Sequence, residues 1–351
     1  MRLASLGARI GLAAALGSAC AASTPPTRTP SVERRGAASQ PAATAMEPGA
    51  DPSAGAERAL RGVVRLVVTR PSPDAGGRAA VTDGSAVLLG KDGTAVTNAH
   101  VVRGASRVDA AVLDGRLLAA VVVGVDEPSD LAVVRLSGDL SGAEPLVWAE
   151  RAPRQGEPVY ALGNALGAGL AVSRGVVSGT SRSGLGYARY EDFVATDARV
   201  ARGTSGGALV DGAGRLVGIC TGTWVDGPAG ATFGVAISAR LAVPVVRALS
   251  SGGAVSRGDV GLDAEDLDPE KAAALGYASL DGALVTVVEP GSPAARAGLR
   301  TGDVVVEAND WAVTRRGHLR AALSIAAAGA RVPLVVVRAT QRVAVTLVLG
   351  P

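Results

Sequence analysis

The sequence predicts a mainly β chain that closes with a smaller α+β unit. Three observations carry this. Short runs rich in Val and Leu recur from about residue 58 to 237, at 63–69, 85–89, 108–113, 117–125, 131–136, 158–162, 172–178 and 216–221. Asp-Gly pairs at 92–93, 114–115, 211–212 and 226–227 lie among them, and tight hairpin turns favour that dipeptide. Past residue 250, helical and strand patterns are mixed instead. Many short strands joined by regular turns make a barrel or a sandwich.

The elements follow in order. Met1, Arg2 and Arg9 precede the apolar run 10–16 and the small residues 17–21. That run is too short for a permanent span and reads as an export signal over residues 1–20. Cys20 gives the signal the look of a bacterial lipoprotein's, although Leu16 stands one position early. Lipidation of Cys20 and ordinary cleavage nearby both stay open. Residues 21–57 are rich in Ala, Pro, Ser, Thr and Gly without apolar periodicity, so they read as a disordered tether. A first folded domain is expected over 58–250, ending in a helix capped by Ser238. Ser251-Gly252-Gly253-Ala254 marks a boundary, and a second domain is expected over 257–351. There Ser292 caps a short helix, Pro293 fits its first turn and Gly298 ends it. A further helix is expected over 316–327, with strands at 332–337 and 342–349.

Composition narrows the function. The 351 residues are 48% apolar but only 3% aromatic, so the cores must be aliphatic. A net charge of +3, with no basic cluster or aromatic platform, argues against nucleic acid. His100 and His318 lie far apart and the cysteines are Cys20 and Cys220; no metal-ligand spacing results, and no cofactor is implied. Cys220 reads as a buried strand residue rather than a thiol nucleophile. His318 reads as a surface residue.

The chemistry centres on Gly203-Thr204-Ser205-Gly206-Gly207. A serine flanked by glycines allows tightly folded backbone, whose N–H groups can converge beside the hydroxyl and stabilise an oxyanion. Serine needs a base, and the base needs a carboxylate to fix its tautomer. His100 ends the alternating run 95–100, and Asp130 stands immediately before the apolar run 131–136. Individually these residues are ordinary turn and loop features. Together their order is His, Asp, Ser, one of the known orders of a catalytic triad.

The segments Thr97-Asn98-Ala99-His100-Val101-Val102, Ser129-Asp130-Leu131-Ala132-Val133 and Gly203-Thr204-Ser205-Gly206-Gly207-Ala208-Leu209-Val210 resemble the HtrA (Deg) serine proteases. The resemblance extends through Ala161-Leu162-Gly163-Asn164 and Gly234-Val235-Ala236-Ile237-Ser238 and covers about residue 58 onward. It implies a chymotrypsin-like domain of two six-stranded barrels followed by one PDZ domain. It makes His100 the general base, Asp130 its orienter and Ser205 the nucleophile, with main-chain N–H groups of Gly203, Thr204 and Ser205 lining the oxyanion hole. Gly84-Ser85-Ala86-Val87 departs from the family's usual second glycine and aromatic. Val200, Ile219, Thr221 and Thr223 are expected to wall a shallow apolar substrate pocket. Val260-Gly261-Leu262 would form the peptide carboxylate loop, or simply open a first strand. The implied function is an exported, ATP-independent serine endopeptidase of the bacterial periplasm or envelope, acting on unfolded polypeptides, binding protein C-termini and assembling as a homotrimer. A peptide-activated regulatory protease and a catalytically silent chaperone or scaffold are the alternatives.

Overall fold

The computed structural model describes residues 53–72, 77–225 and 232–351. The export-signal and lipidation readings, including Cys20, and the Asp226-Gly227 turn lie outside the described residues. Helix α1 (Ala54–Leu60) leads into a closed barrel of β1 (Val63–Arg70), β2 (Ala80–Leu88), β3 (Thr94–Thr97), β4 (Arg107–Ala111), β5 (Leu117–Asp126) and β6 (Leu131–Ser137). Between β3 and β4 runs the single turn α2 (Ala99–Val102). The second closed barrel holds β7 (Pro158–Gly163), β8 (Ala171–Arg182), β9 (Phe193–Thr196), β10 (Ala208–Asp211), β11 (Leu216–Val225) and β12 (Thr232–Ser238). Their orders are β1-β2-β3-β6-β5-β4 and β10-β11-β12-β9-β8-β7, all antiparallel.

Closure removes free strand edges, and alternation sends Val and Leu inward. Val64, Leu66, Val68, Leu88, Val134 and Leu136 fill the first barrel, while Val159, Val177, Leu209, Val217 and Cys220 fill the second. Both interiors are aliphatic, as the scarcity of aromatics requires.

Helix α3 (Ala239–Ser250) starts at Ser238, whose hydroxyl accepts from the Leu241 N–H at 3.2 Å. It buries Leu241, Ala242, Val245, Val246 and Leu249, one helical face, against β5, β6, β11 and β12. The tether expected through residue 57 ends earlier: α1 includes residues 54–57, and Ala56 is buried. Small side chains explain this, since Gly55 lies against the backbone of the 212–214 turn.

The remaining sheet runs β13 (Leu262–Asp266), β14 (Ala283–Val288), β15 (Val304–Ala308), β17 (Arg331–Arg338) and β18 (Gln341–Val348), with β16 (Trp311–Ala312) paired to β15. Helices α4 (Pro269–Ala274), α5 (Pro293–Arg296) and α6 (Arg316–Ser324) accompany it. Ser292 caps α5 by accepting from the Ala295 N–H at 3.1 Å. Helix α6 stops three residues before the expected end, where Ala326 N–H bonds Leu323 O in a tighter turn.

Charged and aromatic groups fix this sheet to the barrels. The Arg257 guanidinium bonds Asp126 at 2.8 and 2.6 Å and lies 4.7 Å from the Tyr190 ring centre. Arg240 bonds the buried Asp192 and lies 3.9 Å from the centre of the Trp311 ring. His318 is not on the surface. It is 3% exposed, with Nε2 against the Ser181 carbonyl of β8 and Nδ1 3.1 Å from the Thr314 hydroxyl. Burial holds its pKa below the ordinary imidazole value, the hydrogen bond to Ser181 opposing.

Candidate active site

The three chemical groups arrive from different elements. His100 lies on α2, just past β3, and Asp130 ends a 3-10 turn immediately before β6. Ser205 lies on the loop between β9 and β10. Asp130 sits at φ +56, a left-handed conformation that turns its side chain back toward α2. Its carboxylate accepts from His100 Nδ1 at 2.8 Å, from the His100 main-chain N–H at 3.0 Å and from the Thr221 hydroxyl at 2.8 Å. A carboxylate is an acceptor only, so Nδ1 is the donor in this pair and Nε2 is left to act as base. Asn98 supports the same turn by donating from its side-chain amide to Asp130 O at 3.0 Å.

Ser205 Oγ donates to the Thr221 main-chain oxygen at 3.0 Å. Thr221 thus touches both Asp130 and Ser205. Among the described residues no hydrogen bond joins Ser205 to His100; a turn about χ1 moves the hydroxyl off the Thr221 carbonyl.

The nucleophile loop is set peptide by peptide. A trans peptide points its C=O and N–H to opposite sides. Arg202 O accepts from Leu166 N–H at 2.7 Å, which turns Gly203 N–H the other way. Gly203 O accepts from the Ser85 hydroxyl at 2.7 Å, and Thr204 N–H bonds Ala201 O at 3.0 Å. Thr204 O accepts from Gly207 N–H at 2.8 Å, which turns Ser205 N–H away from Gly207. Gly203 and Ser205 N–H therefore have no internal partner among the described residues. Thr204 N–H, expected as a third oxyanion donor, is instead committed to the loop itself.

Gly203 has φ +90, and a Cβ there would stand 2.2 Å from Asn164 O. Gly206 has φ +84, and a Cβ there would meet Ser85 O at 2.1 Å. Glycine is required at both by conformation and by space.

Ser85, unremarked in the sequence beyond its unusual neighbours, is the hub of this support. It is fully buried, its Oγ accepts from Asn164 N–H at 2.8 Å, and its own N–H bonds Ser205 O at 2.9 Å. Thr97 Oγ1 donates to Ser85 O at 2.7 Å.

Between the 197–201 segment that leads to the nucleophile loop and strands β11 and β12 opens a cavity of about 420 Å³, lined by Ala198, Val200, Ala201, Thr223 and Gly234, with the exposed Asp197 and Arg199 at its rim. Thr223 Oγ1 donates to Val200 O at 2.7 Å. Ile219 and Thr221 do not wall it. Ile219 is fully buried in the core, and Thr221 is turned to the carboxylate. A register shift between Cys220 and Gly222 interrupts the two-residue alternation that would have put both beside Thr223. Cys220 is buried, and desolvation pushes its thiol up to about 12.

The loop 260–262 precedes β13. Val260 O accepts from Ala294 N–H at 3.0 Å, and Gly261 O from Glu289 N–H at 3.0 Å. Their carbonyls face the domain, so the N–H groups of Gly261 and Leu262 face outward. They face a cleft of about 270 Å³ bordered by β13 and α6. No group of His, Cys, Asp and Glu among the described residues could hold a metal ion, and no helix among them is long and apolar enough to cross a membrane.

The comparisons agree with this geometry. A trypsin-like peptidase domain matches residues 84–219 and a PDZ domain matches residues 284–338. The solved HtrA-type protease AlgW with tripeptide is 34% identical, covers 86% of this chain, is itself covered over 97% and superposes with a TM-score of 0.68. The chain belongs to the HtrA-type serine proteases. Among curated HtrA relatives, the periplasmic serine endoprotease DegP of Salmonella typhimurium is 35% identical over 267 residues, 76% of this chain and 56% of that protein. The serine endoprotease DegS of Escherichia coli is 35% identical over 234 residues, 65% of each. The chain thus spans little more than half the length of the DegP relatives it matches.

Proposed function

We propose that this protein is an exported, ATP-independent serine endopeptidase. Its substrates are unfolded or damaged polypeptides of the bacterial periplasm or envelope, and its PDZ domain binds protein C-termini. The observation that carries the reading is the joint presence of an imidazole tied to Asp130 at 2.8 Å and of Gly203 and Ser205 N–H groups without an internal partner among the described residues. In the reaction Ser205 Oγ attacks the scissile carbonyl carbon and its proton passes to His100 Nε2. The oxyanion accepts from Gly203 and Ser205 N–H, where preorganised donors contribute most. His100 then protonates the departing amine, and water repeats the sequence on the acyl-enzyme. Val200 and Thr223 shape the pocket for a small or medium aliphatic side chain. Export follows from the charged and apolar N-terminus and from the periplasmic relatives; a trimer and a lipid on Cys20 belong to the same reading.

Peptide activation is the second reading. It is favoured by the resting hydroxyl, which faces Thr221 rather than His100, and by Arg189 and Tyr190 of the protease domain, which reach the PDZ cleft. The test is casein turnover by the full chain and by Ser205→Ala, with fluorophosphonate labelling of Ser205. Loss of turnover by several orders of magnitude supports the enzyme. Turnover that survives the substitution refutes it, and labelling that rises when C-terminal peptides are added selects the activated form.

A further inference from the structure

We propose that the PDZ cleft selects C-terminal peptides carrying an acidic side chain two residues before an apolar last residue, and that Arg320 reads it. A second acidic side chain two residues further upstream faces Arg316 and Arg189. This rests on the peptide-binding reading of the cleft above.

The direction of the peptide is fixed by contacts at both ends. Gly258 N–H bonds Ala326 O beyond the end of α6, and the first helical N–H, that of Arg316, bonds Asp266 at the end of β13. Helix α6 therefore runs antiparallel to β13, the edge strand of its sheet. A peptide whose carboxylate meets the outward N–H groups of Gly261 and Leu262 pairs antiparallel with β13 and runs alongside α6. Alternate peptide side chains face the helix, about 6.8 Å apart along the strand. Three to four helical residues advance about 5 Å. The last side chain then lies by Leu323, the second before it by Arg320, and the next in the series by Arg316.

Charge agrees with this register. Arg316, Arg320 and Arg189 all border the cleft and are exposed. The guanidiniums of Arg316 and Arg320 make no hydrogen bond or ion pair among the described residues. The fourth arginine, Arg257, is already taken by Asp126. Of the acids bordering the cleft, Asp259 and Glu289 stand at the carboxylate-loop end, where they disfavour an acidic last residue. Asp263 lies on β13 itself, one residue from Leu262 and Ala264, which flank it on the strand.

The test uses the full chain and fluorescein-labelled decapeptides ending in Val that differ only at the third residue from the end, Glu, Gln or Lys. Affinity is read by anisotropy in about 50 mM salt, where exposed charges act most strongly. The Glu peptide should bind about fivefold tighter than Gln, the upper range for an exposed ion pair, and Lys weakest. Arg320→Gln should bring Glu and Gln within about twofold, and Arg320→Glu should make Lys the preferred residue. Arg320 is on the surface, so neither substitution affects folding. Equal affinities for Glu and Gln in the unaltered chain overturn the proposal. The same Gln peptide with an amidated C-terminus separates the two levels: its loss of binding upholds the carboxylate cleft even where the acidic preference fails. If no peptide binds, both are overturned.

Discussion

Ser85→Ala probes the support of the nucleophile loop from outside the triad. The exchange removes one buried oxygen, too little to open a cavity, and strands two buried groups, Gly203 O and Asn164 N–H, which it had bonded at 2.7 and 2.8 Å. Each unsatisfied buried group costs about 1–3 kcal/mol, so the loss is about 2–6 kcal/mol against a typical stability of about 5–15 kcal/mol. At about 2–4 °C per kcal/mol, the melting temperature should fall by roughly 4–24 °C. The catalytic effect has a different origin. Without the Ser85 bond the Gly203–Thr204 peptide is held only through Thr204 N–H to Ala201 O, and the Gly203 and Ser205 N–H groups on either side of it are less firmly placed. Complete loss of one oxyanion donor costs about 10²–10³ in kcat, which sets the ceiling. A fall in kcat between about tenfold and that ceiling, with KM little changed, is the signature of a contact made only in the transition state. Hydrolysis of a chromogenic peptide, read beside thermal melting, checks both effects. Unchanged kcat and melting temperature would refute the argument that Ser85 holds the loop.

Two further predictions concern buried groups. His318 is held neutral by burial between α6 and β8. Its folded pKa lies below the unfolded value, so its contribution to stability is complete above about 6.5 and declines as pH falls below that value toward the folded pKa. Thermal melts between pH 5 and 8 should show a decline on the acid side that His318→Gln flattens; identical profiles would remove His318 from the coupling. Cys220, with its thiol raised to about 12 and fully buried, should resist iodoacetamide in the native chain and alkylate only on unfolding, as mass spectrometry would report; labelling of the native protein would contradict the packing.

The parts legible in the sequence are those written in contiguous residues. His100, Asp130 and Ser205 each sit in a short local signature at a strand end, and the cap at Ser238 is read from a single helix turn. Ser85 lacked such a signal, because its partners lie 79 and 118 residues away and a serine in a strand carries no mark of them. Ile219 and Thr221 were misassigned for a different reason. They share parity with Thr223, but the register shift after Cys220 changes which face each one shows. His318 looked exposed because arginines surround it on α6, and only the docking of that helix on Ser181 buries it. The early start of α1 was hidden by composition: Ala and Gly read as tether until a complementary glycine turn receives them.

The stitching of one barrel to the other carries a consequence for how a polypeptide enters. Ser85 N–H to Ser205 O, Thr221 to Asp130, and the Asn164 amide to Asp83 at 3.2 Å all cross the seam. Halves sewn along this line cannot part like jaws without breaking the contacts that place Asp130 and Ser205, so admission of a chain falls to the surface loops.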